Sequence, residues 1–351
     1  MDYEQFKADF QDALKDELAG RGAEVELSAR KIEKMNDSYD AITVRPLDSA
    51  IGVNVSVERA FAAYGKGEDI TEIADHFADA VENGFKESPK FDLESISDYE
   101  QMKTRLSMEV VSAERNAELL QTVPHEKMED MAVVYRFILD QSDSGNGTIL
   151  VTNQMLEQYG ITKEQLRADA LEIAPEIRPA EIRGMLEVMN EMAPGMLPEI
   201  APEDEQMFVA SVPDKIHGAG VIAYPNFMED AAQKMGGDFF VLPSSIHEVL
   251  LVKDNGQMTA KELENMVKEV NATQVEPADQ LTDHVYHYDS QNHIFELADK
   301  YEERQREAEH DAPDKDSVLG DLKEKKQEIA KKDPAKDAAT KAATKKHEAS
   351  L

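Results

Sequence analysis

Apolar residues near the start of the chain recur at Phe6, Phe10, Ala13, Leu14 and Leu18. That i, i+4, i+7, i+8, i+12 spacing is one stripe of an amphipathic helix, which Gly20 and Gly22 end. "AEVELSARKIEK", "DAITVRP" and "AIGVNVSV" then read as strands, separated by turn material at 36–38 and 47–49. A second helix is predicted over 70–81, with Ile73, Phe77, Ala80 and Val81 on one face and Asp69 and Glu72 as a variant capping box.

The same grammar returns twice. "MAVVYRFILDQSDSGNGTILVTNQML" reads as strand, turn and strand, followed by a helix that Thr162 and Gln165 start. "FFVLPSSIHEVLLVKDNGQMTAKELENMVKEV" repeats the order, with Thr259 and Glu262 opening a helix whose face is Leu263, Met266, Val267 and Val270. The fold class expected is α+β: antiparallel strand pairs covered by amphipathic helices, in three similar small modules with the pattern of divergent internal repeats. Polar, proline-bearing stretches at 85–100 and 192–206 place the modules at 1–92, 97–192 and 205–295. A hairpin "HVYHYDSQNHIFEL" closes the third, a charged helix spans 296–311, and 312–351 reads as a disordered basic tail. Methionines at helical spacing, such as Met185, Met189 and Met192, read as core.

Charge narrows the function classes. The chain has 38 Lys and Arg against 72 Asp and Glu, a formal net charge of −34. A field of that sign repels phosphate backbones and anionic lipid, so direct nucleic-acid binding by the body is not expected. The tail is the exception, with ten lysines against seven acidic residues from Lys315 to Leu351. Within it Val318, Leu319, Leu322 and Ile329 recur at near-helical spacing, the pattern of a segment that docks in a partner's groove. The start "MDYEQFKADF" lacks a secretory pattern, and no stretch reads as a membrane span, so a cytoplasmic location is expected. There are no cysteines, so disulfides and thiolate chemistry are excluded.

The candidate chemistry is concentrated in "DFFVLPSSIHEVLLV", where Pro243, Ser244, Ser245, His247 and Glu248 interrupt an apolar run. A Ser/His nucleophilic site needs a sharp elbow such as G-x-S-x-G, and a zinc-protease helix needs a second histidine four residues on. Neither is present, and His247 and Glu248 on an extended chain point to opposite faces. The segment therefore reads as a turn between strands, kept as a binding candidate. His284, His287 and His293, with Asp283 and Asp289, are a metal candidate by residue type, but their spacing favours separate faces. Ser144-Gly145-Asn146-Gly147 reads as a hairpin turn. Gly218-Ala219-Gly220 precedes "VIAYP", read as a strand, which is the wrong order for a dinucleotide fingerprint. No cofactor is implied.

"NGTILVTNQMLEQYGITKEQLRADAL" and "GGDFFVLPSSIHEVLLVKDNG" resemble the family called domain of unknown function 5688, found in gut Firmicutes. The likeness spans roughly residues 3–295, and "LPSSIHE" is its most distinctive phrase. The tail "SVLGDLKEKKQEIAKK" is similar to C-terminal segments of proteins encoded on mobile elements. The resemblance implies a lineage and an accessory role, and it transfers no catalytic residue. The expectation is a non-enzymatic accessory or interaction protein with an unidentified protein partner. Two alternatives stand beside it: a hydrolase or metal-dependent enzyme centred on the third module, and an acidic decoy that imitates DNA.

Overall fold

A computed structural model describes residues 1–49, 52–87, 96–142, 145–194, 201 and 204–311. The tail positions Val318, Leu319, Leu322 and Ile329 lie outside them, as does part of the Ser144 turn. The chain divides into two units, Met1–Ala298 and Asp299–Leu351.

The first unit opens with helix α1 (Tyr3–Gly20), capped by Asp2, whose carboxylate accepts the Gln5 N–H at 2.9 Å. The predicted stripe is the buried one: Phe6, Phe10, Leu14 and Leu18 are fully covered. They pack with α2 (Val57–Gly65) and α3 (Ile70–Glu87) onto an antiparallel sheet of β1 (Val25–Lys34), β2 (Asp37–Pro46) and β3 (Val53–Ser56). Burial of one such aliphatic or aromatic side chain stabilises by roughly 1.5–3 kcal/mol. The β1–β2 hairpin turns through Asn36, whose left-handed backbone (φ 59°) asparagine tolerates well. Its tip is anchored to distant segments. The Asn36 N–H donates to Asn116 Oδ1 at 2.7 Å, and its Nδ2 donates to the Ala278 and Gln280 carbonyls at 2.8 Å each.

A second sheet has the order β4 (Leu106–Ser112), β6 (Met131–Ser142), β5 (His125–Met128), with β7 (Gly145–Leu150) also paired to β6. The short helix α4 (Tyr99–Met102) precedes it, and α5 (Asn153–Tyr159) and α6 (Lys163–Ile177) follow. The third sheet has six strands in the order β13-β12-β10-β11-β9-β8: β8 (Glu181–Gly184), β9 (Met207–Ser211), β10 (Phe239–Leu242), β11 (Val249–Lys253), β12 (Tyr286–Asp289) and β13 (Ile294–Leu297). Its helices are α7 (Met185–Met192), α8 (Phe227–Met235) and α9 (Ala260–Thr273). Every pairing in the three sheets is antiparallel, as the alternation of short strands and turns predicts. One apolar core runs through the second and third sheets, joining Met108, Val110, Tyr135 and Phe137 to Phe208, Val241, Val249, Leu251 and Tyr286. Helix α10 (Ala298–Asp311) leads into the second unit. Among the described residues no helix is long and apolar enough to cross a membrane.

The start of α9 forms the full capping box expected of Thr259 and Glu262: each side chain meets the other's backbone N–H. Thr259→Ala should cost about 1 kcal/mol, read as a lower urea midpoint with an unchanged slope.

Two expectations are corrected. "VIAYP" is not a strand: 218–223 form a 3-10 turn, because Gly218 and Gly220 let this backbone lie directly on its neighbours where a strand's side chains would not fit. The methionines of α7 are not core, although Met102 and Met235 at the ends of α4 and α8 are: no residue of α7 is buried, and Met189 and Met192 are 42% and 83% exposed. Periodicity marks an apolar face, but whether that face is covered depends on what lies opposite.

Candidate functional site

The segment Pro243–Glu248 connects β10 to β11 as a six-residue loop, and its backbone is fastened on two sides. On one side the Ile246 N–H donates to Asp279 O (2.9 Å), the Leu281 N–H donates to Ser244 O (3.1 Å), and Ser245 forms an isolated antiparallel bridge with Gln280. On the other side the Ala219 N–H donates to Ile246 O (3.1 Å), and Ser211 Oγ donates to His247 O (2.7 Å). Pro243 and Ile246 are buried, whereas Ser244, Ser245, His247 and Glu248 are half-buried. Two hydrophobic residues thus pin a loop whose polar side chains stay accessible. Gln280 also lines a polar cleft of about 560 Å³ with Arg115, Asp130, Thr282 and His284.

Against this loop the 3-10 turn brings His217. Its backbone N–H donates to His247 Nδ1 at 3.1 Å, and the two rings stack at 5.6 Å with 22° between planes. That contact places the His247 proton on Nε2, which faces Asp279 Oδ1 at 3.4 Å. His217 Nδ1 is hydrogen-bonded to Glu109 Oε1, in the middle of β4. The other carboxylate oxygen of Glu109 accepts from Arg136 Nε at 2.7 Å, across the β4–β6 pairing. Glu109 is only 5% exposed and His217 26%. Burial alone would raise the Glu109 pKa, but the hydrogen bond from His217 and the charge of Arg136 outweigh it and hold the pKa below its ordinary 4.5. The carboxylate is therefore charged and buried, the condition that demands partners.

The backbone that delivers His217 is held under strain. Lys215 (φ 55°) and His217 (φ 53°) are both left-handed, a conformation that disfavours residues with a Cβ by roughly 1–2 kcal/mol. Arg178, just past α6, holds the segment by bonding Asp214, the Ile216 carbonyl and Ser107 Oγ. Strained, over-determined backbone of this kind clusters at functional sites.

The sequence candidates are distributed as follows. Ser245 Oγ accepts the His247 backbone N–H (3.1 Å) and not its ring, and the ring's partners are His217 and Asp279. The three candidate metal ligands are apart in their pairings. His284 is exposed and lies 3.7 Å from Glu264. His287 is buried, with Nε2 3.1 Å from Asp254 Oδ2, and that hydrogen bond lowers the Asp254 pKa. His293 meets Tyr288 Oη at 3.2 Å and Glu229 at 3.4 Å. Among the described residues no group of three or more His, Cys, Asp or Glu side chains is arranged to hold a metal ion.

Glu109, Arg136, His217 and Asp279 were not singled out by pattern. A signal for two of them exists: Glu109 is the sole charge in "LSMEVVS" and Arg136 the sole charge in "MAVVYRFIL". Lone opposite charges in two apolar strands are the mark of a buried pair. His217 and Asp279 sit in loops, where nothing in the pattern sets them apart.

Residues 3–290 match the model of a family described as "Family of unknown function (DUF5688)". Neither a curated protein nor a solved structure matches the chain.

Proposed function

The chain belongs to the family of unknown function DUF5688, and on that premise we propose that it is a cytoplasmic accessory protein, associated with a mobile element, that acts by binding a protein partner. The observation that carries this reading is the loop 243–248, whose half-buried Ser244, His247 and Glu248 stand on a backbone fastened from both sides. A pre-ordered loop loses little conformational freedom on binding, the property of a recognition element. The charge of −34 favours a partner with a basic face over nucleic acid. In the same proposal Val318, Leu319, Leu322 and Ile329 of the tail supply a second docking segment.

The test is affinity for a partner captured from related cells with the full chain, measured by calorimetry. Glu248→Lys should weaken binding at least tenfold, about 1.4 kcal/mol, with the unfolding midpoint unchanged. Deleting 312–351 should reduce affinity separately. Equal affinity of wild type and Glu248→Lys would reject the loop as the recognition site.

A further inference from the structure

The loop reading leaves one arrangement unused: a buried carboxylate that fixes one nitrogen of a histidine. His217 Nδ1 is held by Glu109, Glu109 is held in turn by Arg136, and among the described residues His217 Nε2 has no hydrogen-bond partner. In the neutral imidazole this fixes the tautomer, with the proton on Nδ1 and the lone pair on Nε2. A carboxylate so placed also stabilises the imidazolium that forms when Nε2 takes up a proton. The stacked His247 ring sets the plane of His217, and the backbone bond between the two histidines keeps them in register with the loop.

We propose that Glu109 and His217 form a proton-transfer dyad, with His217 Nε2 as the general base and Glu109 as its positioning residue, serving attack of water on a neutral acyl ester or amide. Water is taken as the nucleophile because neither nearby serine hydroxyl is bonded to a histidine ring nitrogen: Ser211 Oγ donates to the His247 carbonyl and Ser245 Oγ accepts the His247 backbone N–H. A neutral acyl compound is the substrate class because an anionic ester meets a body of strongly negative charge, with Asp279 beside the paired rings. In the step, Nε2 takes a proton from water as the water oxygen bonds to the acyl carbon. The imidazolium then returns that proton to the leaving oxygen or nitrogen as its bond to carbon breaks, so no oxidant or co-reactant is consumed. This inference goes beyond the partner-binding proposal and does not depend on it.

The experiment is hydrolysis of p-nitrophenyl acetate by the full chain, comparing wild type with His217→Asn, His125→Asn and Glu109→Gln. Asparagine accepts the left-handed backbone of position 217 more readily than histidine does, so the fold should survive, and circular dichroism checks it. His217→Asn should lower kcat/KM at least tenfold and toward the roughly 10²-fold that general-base catalysis supplies, while His125→Asn leaves it unchanged. Glu109→Gln should lower kcat with KM unchanged, and nitrogen-15 shifts of His217 should change from one tautomer to a mixture. If wild type hydrolyses the ester no faster than His217→Asn, the dyad is not a base and the proposal is overturned. Loss of hydrolysis in His217→Asn with partner affinity intact would separate this site from the recognition loop.

Discussion

Gly220→Ala is expected to be among the most disruptive single substitutions in the protein, lowering stability by about 3 kcal/mol or more and abolishing the Glu109–His217 contact. An added methyl at Gly220 would overlap the Met108 carbonyl oxygen and lie 3.0 Å from its carbon and 3.2 Å from Glu109 Cα. These are backbone atoms of a fully buried strand, and they cannot move aside as a flexible side chain does. Overpacking of a tight core typically costs 1–3 kcal/mol, and contact with backbone puts this case at or above the upper end. Gly218 is as confined, its added methyl falling 2.6 Å from His247 O and 2.9 Å from Val212 N. Gly220 lets the 3-10 turn approach β4 closely enough for His217 to reach Glu109, while Gly218 seats the same turn against Ser211, Val212 and the His247 carbonyl. Gly20→Ala is the control: it has open space within 4 Å and should be neutral or slightly stabilising. Urea unfolding followed by circular dichroism separates the two. Equal midpoints for Gly20→Ala and Gly220→Ala would show that the close approach of turn and strand does not hold in solution.

Glu109→Gln is expected to cost about 3 kcal/mol at pH 7, because removing one member of a buried ion pair leaves the other charge uncompensated. Arg136 is only 16% exposed at its side chain, so water cannot replace the carboxylate fully. The double substitution Glu109→Leu with Arg136→Leu should recover part of the loss, since no isolated charge remains. The pH dependence has a definite sign. The folded pKa of Glu109 lies below its ordinary 4.5, so its contribution is fully present above about 4.5 and is lost as pH falls through the folded value. Asp254, lowered by its hydrogen bond to His287, acts in the same direction, as does Glu264, held at about 2 by Lys261 and Lys268. The stability gap between wild type and Glu109→Gln should therefore narrow in acid. Urea titrations at pH 7 and below pH 4.5 measure it, and a gap that widened in acid would contradict an ionised Glu109 in the fold.

What the sequence determined by itself is local and periodic. The stripe Phe6, Phe10, Leu14, Leu18 is a 3.6-residue repeat, and it is the buried face of α1. Short alternating strands with turn residues between them produced antiparallel pairs, and the Thr259–Glu262 spacing produced the capping box, because each depends on residues within a few positions of one another. The tertiary structure decided everything that requires distant segments to meet. It covered the face of α1 and left that of α7 open, although both are amphipathic. It placed the start of "VIAYP" in a 3-10 turn, since Gly220 before it lies directly on β4, a strand about a hundred residues earlier in the chain. It drew Pro243–Glu248, the phrase conspicuous in the sequence, into contact with 217–219 and 279–281. Glu109 lies 108 positions from His217. Periodicity carries no information at that range. Their pairing is set by the need of a buried carboxylate for partners, which acts only once the chain has folded around it.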